Sequence, residues 1–128
     1  MDYYFSKRLN VGFDEAIAKV TEALKEAGFG VLTTVNVQET LKKKLDVEFR
    51  NYQILGACQP ALAYQALQAE DKIGTMLPCN VIVQELSDRS VEVAAVDPVA
   101  SMQAIENPTL GEVATQVQAK LKTMIDTL

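Results

Sequence analysis

Two side chains in this sequence are soft nucleophiles or soft metal ligands: Cys58 in "ILGACQP" and Cys79 in "GTMLPCN". The sequence holds no histidine, so any chemistry must be built from thiols, carboxylates, amides and hydroxyls. Asn80 follows the second thiol directly, and Asp97 stands in "AAVDP". A closed structural zinc site takes four ligands, and two cysteines with one aspartate fall short of that within one chain. Cys58 and Cys79 are therefore metal ligands only if a site exists, for instance one completed by a symmetric partner. A dithiol redox pair requires the two sulfurs to meet. The spacing is not Cys-x-x-Cys, no histidine is present to draw a thiol pKa down, and a neighbouring aspartate opposes thiolate formation by like-charge repulsion. The plainest role for both cysteines is that of small, mostly buried hydrophobes against a sheet. Asp97 before Pro98 is equally well explained as a turn opener whose carboxylate accepts local backbone bonds.

Several mechanisms are excluded by residue type. Without histidine there is no Ser-His-Asp or Cys-His catalysis and no histidine-based zinc hydrolase motif. Walker and dinucleotide-binding fingerprints are absent, and "GFG" at 28–30 reads as a helix cap, not a phosphate cradle. No cofactor is identified by these residues.

The candidate residues are positioned by elements that the hydrophobic pattern locates. Residues 2–9 alternate, with Tyr3, Phe5 and Leu9 on one side, which predicts a half-buried strand. From Phe13 the period changes: Phe13, Ile17, Val20, Leu24 and Ala27 draw a helical stripe that closes on Gly28. "FGVLTTV" at 29–35 predicts a strand, and Asn36 with Glu39 predicts a capping box for a short helix bearing Val37, Leu41 and Leu45. Lys42, Lys43 and Lys44 point around that helix and form no single anion-binding surface. Residues 52–58 predict a strand with Tyr52, Ile54, Gly56 and Cys58 on one face. Pro60 opens a helix, a loop holding Gly74 follows, and two strands at 81–83 and 91–96 form a hairpin around Ser87–Ser90. A short helix is expected over 99–105. Thr109 with Glu112 predicts the capping box of a long C-terminal helix striped by Leu110, Val113, Val117, Leu121, Met124 and Leu128.

The hairpin register carries the main geometric expectation. Any pairing that places Val81 and Val83 beside Val93 and Ala95 on one face also places Cys79 opposite or diagonal to Asp97. If the strand ending at Cys58 runs antiparallel to the one starting at Cys79, then Cys58, Cys79 and Asp97 meet at one end of the sheet. A crossover through the Pro60 helix would instead make those strands parallel and separate the thiols.

The bulk properties narrow the class. A length of 128 residues suits one domain spanning 1–128. Twelve basic against seventeen acidic residues give a net charge of −5, which disfavours nucleic acid as a partner. No apolar run approaches the roughly 20 residues needed to span a bilayer, so no membrane is expected. "MDYYFSKRL" has no signal-peptide pattern, which makes the cytoplasm the expected compartment, where two cysteines stay reduced.

The segments "FDEAIAKVTEALKEAGFGVLTTVNVQETLKKKL", "YQILGACQPALAYQAL", "IGTMLPCNVIV" and "VEVAAVDP", in this order and spacing, resemble the bacterial and archaeal domain-of-unknown-function family numbered three-hundred-and-two. The resemblance covers nearly the whole chain. It implies a TATA-binding-protein-like α+β fold, with a mostly antiparallel curved sheet and helices packed on one face, often as a dimer; it does not imply DNA binding. The family pattern places cysteines at the positions of Cys58 and Cys79 and an aspartate at Asp97, but assigns them no role. The expected function is a non-enzymatic module that binds a small molecule, metal or partner at Cys58, Cys79, Asn80 and Asp97. The alternatives are a thiol-redox or sensor protein using Cys58 and Cys79, and a purely structural homodimeric interaction domain.

Overall fold

The computed structural model describes residues 2–128. Five antiparallel strands form one open sheet in the order β1-β5-β4-β3-β2, where β1 is Tyr4–Leu9, β2 Gly30–Asn36, β3 Tyr52–Cys58, β4 Cys79–Glu85 and β5 Val91–Val96. The helices pack on one side of it: α1 (Phe13–Glu26), α2 (Val37–Leu45), α3 (Pro60–Ala69), α4 (Pro98–Ser101) and α5 (Pro108–Thr127). This is the α+β architecture that the alternation of strand and helix periods predicts.

Side-chain alternation decides which strand residues reach the helices. Leu55 and Ala57 on β3, Val81 and Val83 on β4, and Val91, Val93 and Ala95 on β5 are buried. They form one core with Ala16, Val20 and Leu24 of α1 and with Leu110, Val113, Val117, Leu121 and Met124 of α5. Each fully buried leucine contributes about 1.5–3 kcal/mol by leaving water, so the α5 stripe is a principal fastening of the helical layer. Intervening residues such as Tyr52, Ile54, Ile82 and Ala94 are only half-buried, because they lie on the uncovered face.

Local chemistry sets the element ends. Gly28 has φ +91°, a left-handed conformation in which a Cβ is strained, and it turns the chain from α1 into β2. Asn36 caps α2 by accepting from the Glu39 amide at 3.0 Å, as its spacing predicts. The predicted capping box at Thr109 is corrected: Asn107 is the cap, accepting from the Leu110 amide at 3.2 Å, and Pro108 takes the first helical position. Proline's fixed φ suits that position and the asparagine amide supplies the acceptor, so α5 starts before Thr109. The helix expected over 99–105 is one turn, Pro98–Ser101, and the expected loop around Gly74 contains a 3₁₀ turn, Ile73–Met76.

Candidate functional site

The pairing of β3 with β4 is antiparallel, with Leu55 opposite Val81 and Ala57 opposite Cys79. In the β4–β5 hairpin Val81 faces Ala95 and Val83 faces Val93. Extending that ladder by two residues sets Cys79 opposite Asp97, and the last residue of β3, Cys58, stands at the same end of the sheet.

What that proximity produces differs from a four-residue polar site. Cys79 is buried on the helix-covered face, and burial, with a lesser push from the neighbouring Cys58, raises its thiol pKa to about 11. Cys58 is half-buried, and alternation sends it away from the face that Cys79 shares with Ala57. Both thiols are free, and Cys79 has Ala57 as its cross-strand neighbour, so the expected cysteine pair is not formed. Asn80 is exposed on the open face, where it borders a second concavity, of about 380 Å³, with Tyr4, Tyr52, Ile82, Gln84 and Glu92. A step of one residue along a strand reverses the side chain, which is why adjacency to Cys79 in sequence does not bring Asn80 to the same surface.

Asp97 is fully engaged. Its Oδ1 accepts from the backbone amides of Val99 at 3.0 Å and Ala100 at 3.4 Å, capping α4. The Gln118 amide donates to Oδ1 at 3.0 Å and to Oδ2 at 3.2 Å, which ties α5 to the sheet end. Among the described residues no three histidine, cysteine, aspartate or glutamate side chains gather as a metal-binding cluster.

The concave feature at this end of the sheet is a cavity of about 310 Å³. Its deep wall is Ala57 and Cys79 from the strands, Leu62 and Ala66 from α3, and Val113 and Val117 from α5, all buried. Cys58, Gln59, Ala63 and Pro78 are half-buried and surround its opening, and Leu32, Thr33 and Leu67 are exposed at its rim. Leu32 reaches the rim because the β2 register shifts between Val31 and Thr33, a bulge that frees one residue from the ladder of an edge strand. Gly56 fixes the rim from behind. A Cβ there would come within 2.1 Å of Thr33 Oγ1 and 2.7 Å of Pro78 Cγ, so only glycine lets those two side chains close over β3.

Sequence reasoning found the two thiols and missed Leu32, Gln59 and Ala63. The bulge has no local signature in "GVLTTV". Gln59 did carry a signal, since a polar residue directly before Pro60 stands where a helix cap belongs; its Oε1 accepts from the Leu62 amide at 2.8 Å.

The family model described as Domain of unknown function DUF302 matches residues 5–128. The chain is also similar to the crystal structure of an uncharacterized conserved protein DUF302 from Bacillus stearothermophilus, at 27% identity and a TM-score of 0.91, with 98% of each chain covered. No curated protein matches the chain. Among the described residues no helix is long and apolar enough to cross a membrane.

Proposed function

This chain belongs to the DUF302 family, and we propose that it is a non-enzymatic module that binds a small apolar molecule in the cavity between α3, α5 and the Cys79 end of the sheet. The observation that carries this reading is the cavity's lining: its volume of about 310 Å³ is walled almost wholly by carbon and sulfur. Protein interiors hold few voids larger than a water molecule, and concave apolar pockets of roughly 300–1,000 Å³ are where small ligands bind. A ligand burying about six methylenes gains roughly 5 kcal/mol before the costs of association, which sets an expected affinity no tighter than about 0.2 mM.

The same residues speak against catalysis. A thiol raised to about 11 stays protonated at neutral pH and is a poor nucleophile, and both oxygens of Asp97 are held by backbone amides and Gln118. The thiol-redox alternative loses support for the same reason. Of the residues singled out in the sequence, Cys79 becomes a wall residue, Cys58 borders the opening, Asp97 is a structural brace, and Asn80 belongs to the other face.

The reading is tested with Nile red, an uncharged dye whose emission rises in apolar surroundings. Wild-type protein is expected to give saturable enhancement. Ala63→Phe, which places a ring into the opening from a half-buried position on α3, is expected to weaken it by at least about tenfold, a loss of about 1.4 kcal/mol, with an unchanged melting temperature. Equal enhancement by both proteins would refute the assignment.

A further inference from the structure

We propose that the free edge of β2 is an interaction surface for a second copy of this chain, which adds its own β2 antiparallel across a dyad beside Thr34. The sheet has two edges, and they are finished differently. β1 carries Lys7 and Arg8, charges that hinder the addition of another strand. Lys7 Nζ also donates to the carbonyl oxygens of Asp126 and Leu128, so the end of α5 lies against that strand. β2, "GVLTTVN", has no charged residue and no proline. Among the described residues its hydrogen bonds run only to β3 and to the start of α2, which leaves the outward N–H and C=O groups without a protein partner. Leu32 and Val35 stand 68% and 44% exposed on it.

Charge and register favour a copy of the chain as the occupant. The net charge of −5 makes the molecule repel its own copies, but residues 30–48 are neutral: Lys42, Lys43 and Lys44 balance Glu39, Asp46 and Glu48. Within that stretch α2 packs beside β2 and β3 without burying a single residue. Two copies therefore approach with least repulsion through this uncovered segment. Beyond the bulge, residues 33–36 keep unbroken register with β3. A dyad normal to the sheet keeps both helical layers on one side and requires opposed residues to share a face. Thr34 opposite its counterpart and Thr33 opposite the partner's Val35 meet that condition, because Thr33 and Val35 both face the uncovered side with Gly56 and Ile54. The pairing sets β-branched residues against one another and no like charges, whereas the same operation on β1 would crowd Lys7 and Arg8 of two copies. Two short edges make a small interface, for which a micromolar dissociation constant is expected.

Sedimentation velocity from low micromolar to submillimolar concentration tests the proposal. Wild type is expected to pass from monomer to dimer. Thr34→Lys sets two ammonium groups opposite each other at the dyad and is expected to raise the dissociation constant at least about tenfold. Thr34 is exposed, so the variant is expected to keep the melting temperature of the dilute wild type. A second measurement needs no variant: amide hydrogen exchange at residues 33–36 is expected to slow as wild-type concentration rises, with Tyr4–Leu9 unaffected. A monomer at every concentration overturns the proposal and leaves the edge to an extended segment of another protein. A dimer without that protection, or one that Thr34→Lys leaves intact, overturns it as well.

Discussion

The covered end of the sheet and its open face draw on the same three strands, β3, β4 and β5, yet they have opposite characters. At the covered end, Ala57 and Cys79 face helices, water is displaced and the surroundings are carbon and sulfur. On the open face, the intervening residues support a polar chain: Arg50 Nε donates to Gln84 Oε1 at 2.8 Å, and Gln84 Nε2 donates to Glu92 Oε1 at 2.9 Å. Arg50 also lies over the rings of Phe49 and Tyr52 at 4.4 and 5.5 Å. Polar groups that satisfy one another in contact with water gain little from a new partner. The covered end offers dry apolar surface instead, and that is where desolvation drives binding. The character of the lining, more than the size of the concavity, separates the two regions.

Neighbouring residues on β3 give the largest expected contrast. Leu55→Ala empties a fully buried position and is expected to cost about 2–5 kcal/mol in denaturant unfolding, whereas Ile54→Ala, one residue away on the half-buried face, should cost about 1 kcal/mol or less. Similar losses at both would erase the distinction between the faces.

The Cys79 thiol sharpens the comparison through pH. Its pKa rises from 9.0 to about 11 in the folded protein, so above pH 9 the unfolded chain releases a proton that the folded chain retains. The stabilising contribution is complete below pH 9 and is lost as pH climbs toward 11, amounting to about 2–3 kcal/mol. Urea unfolding at both ends of that window is expected to show a steeper fall for wild type than for Cys79→Ala; parallel falls would mean the thiol is not in a dry environment.

A smaller effect is expected at the brace between them. Asp97→Ala removes the α4 cap and the Gln118 contacts and should cost about 1–2 kcal/mol, while Asp97→Asn, which keeps an acceptor oxygen, should cost less than half of that. A loss for the asparagine variant equal to that of alanine, measured by thermal unfolding, would assign Asp97's role to its charge instead of its capping geometry.

The sequence made the scaffold legible where periodicity is strong. The valines of β4 and β5 set the hairpin register, and "YQILGAC" matches β3 from Tyr52 to Cys58. Gly28 and Asn36 declared two turns by their own conformational and hydrogen-bonding preferences. The cavity was not legible, because its walls converge from α3, α5 and three strands that lie far apart along the chain, and packing distances between such elements leave no periodic trace. Asn80 shows the limit most plainly: nearness in sequence to Cys79 drew it into the candidate site, and the pleat of β4 put it on the other side.

Methyl-resolved nuclear magnetic resonance of the protein titrated with methyl decanoate tests the location of binding most directly. Saturable shifts confined to Leu62, Val113 and Val117, with Ile54 and Ile82 unmoved, are the predicted result. Shifts centred on Ile54 and Ile82 would place binding on the open face and contradict the assignment.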